Sequence, residues 1–165
     1  MAIHKTIPSM LQESLIEMFL VAKYCVEFKK DRAIWRSNGC YGYSAAVLLF
    51  AIADSIGSYV IGGHTKKHFD ILKHTNYYSL KLTEPQLSDI YKKFRCLLTH
   101  HSVLGRNVIM DIGTETASVF EFNENRITLN ILPFLMITKI AVNNFLNEAD
   151  HIVPVSAPLK EILQK

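Results

Sequence analysis

The amino-acid sequence predicts a mainly α-helical fold: a bundle of four to five main helices with one β-hairpin inserted before the closing helix. Apolar residues recur every three or four positions in several long segments, as they do on one face of an α-helix. Beyond Gly105 the spacing changes to alternation, which is typical of strands. The 165 residues, 49% hydrophobic and 20% charged, suit a single globular domain spanning the whole chain.

The first helix and the connection after it follow from periodicity and glycine placement. From Pro8 to Lys30 apolar residues recur at helical spacing, and Pro8 suits a first helical turn, where its missing N–H is not needed. Asn38-Gly39 and Gly42 then break the pattern, so residues 31–42 are predicted to form a connection, with Trp35 packing it onto the bundle.

The segment from Tyr43 to Ile61 is apolar nearly all round, as expected for the central helix of a bundle, and Gly62-Gly63 ends it. Its length approaches that of a membrane span. Asp54 lies in its middle, however, and a carboxylate at mid-bilayer costs about 2.5–3.5 kcal/mol on the insertion scale. We interpret the segment as a buried core helix and expect no membrane partner.

Two further helices are predicted in the middle of the chain. Residues 65–73 show helical spacing over a short stretch. Thr83 is followed three residues later by Gln86, with Pro85 between them, which is the pattern of an N-cap with a capping box. A long helix from Glu84 to about Val103 is therefore expected.

The last third of the chain predicts a hairpin and a closing helix. Residues 118–122 and 127–131 alternate in polarity or size and are separated by an Asn-Glu-Asn-Arg turn, which indicates a β-hairpin. Helical spacing returns from Pro133 to Glu148, and a short helix over 157–163 is expected after the break at Pro154.

Charge, cysteine content and missing motifs narrow the classes of function. The formal net charge of +3, spread along the chain, permits an anionic ligand without requiring one. Cys25, Cys40 and Cys96 are an odd number without C-x-x-C spacing, so we interpret them as reduced thiols of a cytoplasmic protein. The N-terminus lacks the pattern of a secretory signal. The sequence contains neither G-x-S-x-G nor a Gly-rich phosphate loop, so no cofactor is expected.

The candidate chemistry lies in the predicted helix from Glu84 to Val103, where Arg95 is followed after four residues by His100. This pair resembles the R-x4–6-H motif of the HEPN superfamily, helical bundles that often dimerise and include many metal-independent ribonucleases. The order of elements is also similar over roughly residues 44–148. It consists of an apolar helix with Asp54-Ser55-Ile56-Gly57, a helix with Tyr-x-x-x-Arg-x-x-x-x-His, a hairpin and a closing helix.

The resemblance implies a metal-independent endoribonuclease in which Arg95 and His100 cleave RNA by transesterification. A histidine can accept the 2′-hydroxyl proton or, when protonated, donate to the leaving 5′-oxygen. A guanidinium can hold two phosphate oxygens and stabilise charge developing on phosphorus. The resemblance also implies a homodimer with paired motif helices and, for toxin members, a cognate antitoxin. In the toxin branch with a His-x-Tyr motif the tyrosine is modified, and Ser102 stands there instead.

Helical geometry predicts where Arg95, His100 and His101 lie around the predicted helix. At about 100° per residue, His101 falls on the apolar face of the helix, which predicts a packed core or interface histidine. Arg95 and His100 lie about 140° apart on an ideal helix and would not meet on a straight one. Their convergence requires the reach of arginine, a distorted final turn or a second subunit. A homodimer whose interface includes residues 84–103 would supply that subunit.

The same residues allow a structural interpretation. Arg95 would then form a salt bridge within the bundle, to Asp54 or Asp89, and His100 would pack near a helix end. Asp54 is a structural hydrogen-bond acceptor in this interpretation and a group that orients Arg95 in the catalytic one. Active HEPN proteins often carry a polar residue directly after the arginine, where this chain has Cys96. The alternative function is thus a catalytically inert HEPN-like binding or dimeric assembly module.

Other basic residues and histidines are candidate ligand sites. Lys92, Lys93 and Arg106 are candidate phosphate-binding residues near the motif, and the structural alternative is an ordinary solvated helix face. His64 and His68 have a spacing that can bind a metal, but the two lysines between them would repel a cation. We therefore expect a solvated basic face there and no metal.

Overall fold

The computed structural model describes residues 7–35, 38–101 and 103–149, and it confirms a mainly α-helical fold with a small β insertion. Three long helices, α1, α3 and α7, pack on one another to form the bundle. The helices are α1 (Ile7–Glu27), α2 (Arg32–Trp35), α3 (Gly42–Val60), α4 (Thr65–His68), α5 (Glu84–Ile90), α6 (Leu97–His101) and α7 (Ile131–Ala149). The strands are β1 (Val108–Asp111), β2 (Phe120–Asn123) and β3 (Arg126–Asn130).

Helix α3 is the centre of the core, as predicted. Phe50, near its middle, lies with its ring centroid 5.0–6.4 Å from the rings of four other phenylalanines. These are Phe69, Phe94, Phe120 and Phe134. Each comes from a different element: Phe69 from the segment after α4, Phe94 from the helical segment after α5, Phe120 from β2 and Phe134 from α7. Phe50 therefore joins these elements in one apolar cluster.

By length and composition, α3 is the single helix among the described residues that could cross a membrane. An 18-residue stretch of this helix has a mean hydropathy of 1.5, and 44% of the stretch is buried inside the protein. Helices α1 and α7 pack against it. Burial against these neighbours accounts for the apolar sequence, because a helix that is hydrophobic all round is expected in the core of a bundle.

The predicted motif helix is one continuous helical segment over residues 84–101, with a change of geometry in its middle. It begins at the predicted capping box: Gln86 N–H donates to Thr83 Oγ1, and Thr83 N–H donates to Gln86 Oε1. Helix α5 then passes into a π-helical turn, Tyr91–Cys96, and continues as α6. The predicted apolar face is confirmed where Leu87, Ile90, Phe94 and Leu98 are buried.

The sheet contains the predicted hairpin and one strand that was not predicted. Strands β2 and β3 pair antiparallel, with Phe120 opposite Leu129. Strand β1 pairs parallel with the other edge of β3, giving the order β1-β3-β2. A four-residue strand with a distant parallel partner has no hairpin turn to signal it, so the local pattern could not predict β1.

Several predicted boundaries differ in detail. The first helix ends at Glu27 rather than Lys30, and the closing helix begins at Ile131, which places Pro133 within its first turn. The connection over 31–42 contains the single turn α2, and Trp35 contacts the Tyr41 ring while remaining half-exposed. The helix predicted over 65–73 is α4 followed by a 3₁₀ segment, Phe69–Lys73. The helix predicted over 157–163 lies outside the described residues.

Candidate functional site

Four polar side chains form a connected cluster between α3, the end of α4 and the motif helix. His68 Nδ1 lies 2.9 Å from Asp54 Oδ1, and Arg95 Nη2 donates to Asp54 Oδ2 at 2.8 Å. Arg95 Nη1 lies 3.4 Å from His100 Nε2, so the arginine can donate to the imidazole. We call His68, Asp54, Arg95 and His100 the four-residue cluster. It unites Arg95, His100 and Asp54, which the sequence proposed, with His68, which it did not.

Arg95 and His100 meet within one chain. On an ideal α-helix they lie about 140° apart, so a straight helix is not expected to bring them together. The π-helical turn Tyr91–Cys96 includes Arg95, whereas His100 lies beyond it in α6. The contact between the two side chains is therefore made in a helix of irregular geometry, without a second subunit.

Asp54 is the residue that fixes the guanidinium. Its side chain and that of Arg95 are each 19% exposed, so the ion pair is largely shielded from water. Of the two acidic partners considered for Arg95, the structure selects Asp54, because Asp89 instead pairs with Lys93 at 2.8 Å on the same helix. A carboxylate inside an apolar helix thus has a charged partner, as burial requires.

His68 contradicts the expectation of a solvated basic face. Its side chain is 14% exposed and faces Asp54, whereas His64 is exposed at the N-cap position of α4. The close approach of α3 and α4 makes this contact. A Cβ atom at Gly57 would lie 2.1 Å from the carbonyl oxygen of His68, so only glycine fits there. The signal in the sequence was Gly57, three residues after Asp54 on the same helix face.

The pKa values of Arg95 and of its neighbour Tyr91 are both raised. Partial burial acts to lower the pKa of Arg95, but the hydrogen bond and negative charge of Asp54 outweigh it, and the pKa is raised. Burial, followed by a hydrogen bond with Cys96, raises the pKa of Tyr91. The Tyr91 ring lies 5.8 Å from the Arg95 guanidinium carbon, so a neutral phenol face supports the cation.

The three candidate phosphate-binding residues have different environments. Lys92 and Arg106 are exposed, and either can reach a ligand in solvent. Lys93 donates to Asp89 Oδ2, which offsets its charge. Gly105 N–H donates to the Lys93 carbonyl at 3.1 Å, so the loop that carries Arg106 returns to the motif helix. The predicted packing of His101 falls outside the described side chains.

The cysteine thiols and the possible metal ligands show whether the described residues offer thiol or metal chemistry. All three cysteines are free, and burial raises the pKa of Cys25 and Cys40, so these thiols stay protonated. Within the described ranges, no group of three or more His, Cys, Asp or Glu side chains could hold a metal ion. The four-residue cluster therefore offers a guanidinium, two imidazoles and a carboxylate as its functional groups.

Comparisons of the chain with protein-family models, with curated proteins and with solved structures find no match. The likeness to the HEPN superfamily thus consists of the motif Arg95-x-x-x-x-His100, the apolar helix with Asp54 and the order of elements. What the cluster can do chemically follows from its geometry. A cation that holds an anion beside a histidine suits proton transfer at a phosphate.

Proposed function

We propose that the protein is a HEPN-like, metal-independent endoribonuclease in which Arg95 and His100 cleave RNA. The single observation that carries the proposal is the 3.4 Å separation of Arg95 Nη1 and His100 Nε2 within one chain. A phosphate oxygen that accepts from Nη1 would lie beside the imidazole nitrogen. An acid–base group must be within hydrogen-bond reach of the proton it transfers, and the short distance from the imidazole to Nη1 supports this role for His100.

The reaction is a transesterification at phosphorus. The ribose 2′-oxygen attacks phosphorus and loses its proton, the bond from phosphorus to the 5′-oxygen breaks, and that oxygen takes up a proton. His100 performs one of the two proton transfers, as base or as acid, and water or another histidine performs the other. The products are a 2′,3′-cyclic phosphate and a 5′-hydroxyl, and no oxidant, reductant or metal is required.

The remaining residues bind and orient the substrate. Arg95 stabilises the charge that develops on the phosphoryl oxygens, and Asp54 holds its guanidinium in place. Exposed Lys92 and Arg106 contact flanking phosphates of the RNA backbone, and Lys93 contributes when it leaves Asp89. These contacts carry no base specificity of their own.

The proposal extends to location and partners. We propose that the protein is cytoplasmic, because its three cysteines are free and thiols stay reduced in that compartment. RNA is present in the same compartment.

We propose a homodimer in which the motif helices of two copies face each other. An apolar groove of about 480 Å³ beside the motif helix, lined by Tyr43, Val47, Leu48 and Leu98 among others, supports this face. A cognate antitoxin is the partner that the toxin branch of the family would imply.

A second function is favoured by the ion pair itself. The carboxylate of Asp54 already satisfies Arg95, as expected of a residue that stabilises the packing of α3 against the motif helix. Cys96, where active HEPN proteins often have a polar residue, points the same way. In that case the protein is a catalytically inert HEPN-like binding or assembly module.

The two functions are separated by incubating the purified protein with diverse single-stranded RNAs in EDTA. The ribonuclease proposal expects cleavage that Arg95→Ala and His100→Ala each reduce at least a hundredfold, since positioned acid–base groups contribute about 10²–10⁴-fold. Matched controls are Arg32→Ala and His64→Ala, which remove the same side chains at exposed positions. An absence of cleavage across all substrates favours the inert module. Cleavage that persists in both site variants refutes the assignment of the site.

A further inference from the structure

His68 is held between two oxygen acceptors. Its Nδ1 lies 2.9 Å from Asp54 Oδ1, and its Nε2 lies 3.1 Å from the carbonyl oxygen of Gly63. A neutral imidazole has a single N–H and would turn a lone pair toward one of these oxygens. The imidazolium donates at both positions. The arrangement of acceptors therefore fits the protonated ring.

The backbone is shaped to produce this arrangement. Gly62 and Gly63 have φ values of 68° and 85°, which lets the chain reverse between α3 and α4 and present the Gly63 carbonyl to the ring. Gly57 lets the backbone of His68 approach α3 at a distance that no other residue allows. The position of the His68 backbone against α3 is therefore fixed by this close approach.

Asp54 is shared by two side chains, one on each carboxylate oxygen. His68 occupies Oδ1, and Arg95 reaches Oδ2 through Nη2 alone. An arginine and a carboxylate left to themselves prefer two parallel hydrogen bonds. Here His68 lies on Oδ1, Arg95 contacts Oδ2 through Nη2 alone, and Nη1 of Arg95 is turned toward His100.

An imidazolium at His68 would also change the charge of the cluster. Arg95 and Asp54 alone sum to zero, which leaves little attraction for a phosphate group. With His68 as an imidazolium, the cluster carries one net positive charge while every hydrogen bond within it is retained. A phosphate that approaches Nη1 is then attracted rather than met by a neutral pair.

We propose that His68 is a positioning residue that keeps Nη1 of Arg95 available for a phosphate and supplies the charge that Asp54 would otherwise cancel. The inference rests on the proposed function in one respect, namely that the phosphate belongs to an RNA strand. His68 touches neither the phosphate nor His100, and it acts through Asp54 and Arg95.

The test measures binding separately from cleavage. The probe is a fluorescently labelled single-stranded 2′-O-methyl RNA, which keeps the phosphates but lacks the attacking hydroxyl. His68→Gln retains a hydrogen-bond donor without a charge, and we expect it to weaken binding about tenfold at low salt. His64→Gln, the matched control on an exposed histidine of the same segment, leaves binding unchanged. His68→Lys, which returns a cation, restores most of the affinity.

Equal binding by His68→Gln and His64→Gln overturns the inference, and so does a wild type that fails to bind the probe. Nitrogen-15 NMR of the wild-type ring at pH 7 gives a second measurement in case His68→Gln does not fold. Protons on both ring nitrogens are expected, and a single neutral tautomer overturns the inference. If RNA is not cleaved but binding depends on His68 as stated, only the proposed catalysis fails. If cleavage occurs and His68→Gln binds normally, only the role of His68 fails.

Discussion

Replacing Gly57 with alanine tests the close contact that places His68 against Asp54. In most helix interiors this change stabilises a protein by about 1 kcal/mol, because alanine is the better helix former. At Gly57 the new Cβ would lie 2.1 Å from the His68 carbonyl oxygen and 2.8 Å from its carbonyl carbon. Both are backbone atoms, so no side-chain rotation relieves the overlap and α4 must move away from α3.

Overpacking of this kind costs about 1–3 kcal/mol, and a backbone contact lies at the upper end of that range. After subtraction of the gain in helix propensity, we expect Gly57→Ala to lower the free energy of unfolding by about 1–2 kcal/mol. Urea denaturation monitored by circular dichroism measures this value. Gly39→Ala is the matched control, since a Cβ atom there meets nothing within 4 Å. A Gly57→Ala protein as stable as the wild type would refute the close packing of α3 and α4.

Two further predictions concern other parts of the fold. Thr83→Ala removes the capping-box acceptor of the motif helix, and we expect a loss of about 1 kcal/mol in urea denaturation, whereas Thr114→Ala in a surface loop should cost less than half of that. Burial, followed by a hydrogen bond to Glu148, raises the pKa of Tyr77, which favours the neutral phenol in the folded state. Stability should therefore hold below about pH 10, the unfolded value, and fall above it, and Tyr77→Phe should reduce that fall. An alkaline profile that is the same in both proteins would contradict the assignment to Tyr77.

The sequence predicted the elements whose physical causes are local. The periodicity of α3, the capping box at Thr83 and the alternation of β2 and β3 each act within a few residues, so a short window contains the whole signal. The pairing of Arg95 with Asp54 could also be proposed, because a carboxylate in an apolar helix requires a partner.

The features that the sequence did not predict depend on contacts between distant segments. Strand β1 forms only because β3 offers a free edge, and the π turn at Tyr91–Cys96 alters the helix without any proline or glycine to mark it. His68 was interpreted by its spacing from His64, although its environment is set by α3, fourteen positions earlier in the chain. For β1 and His68 the deciding neighbour lies on another element, where periodicity carries no information.

In the proposed reaction, Arg95 and His100 of one chain promote attack by a ribose 2′-hydroxyl on the adjacent phosphate. An oligonucleotide that is DNA except for a single ribonucleotide, incubated with the wild-type protein in EDTA, tests this step. We expect one cut, immediately 3′ of the ribonucleotide, with a 2′,3′-cyclic phosphate on one fragment and a 5′-hydroxyl on the other. Cleavage at a deoxynucleotide, or a product with a 5′-phosphate, would contradict it.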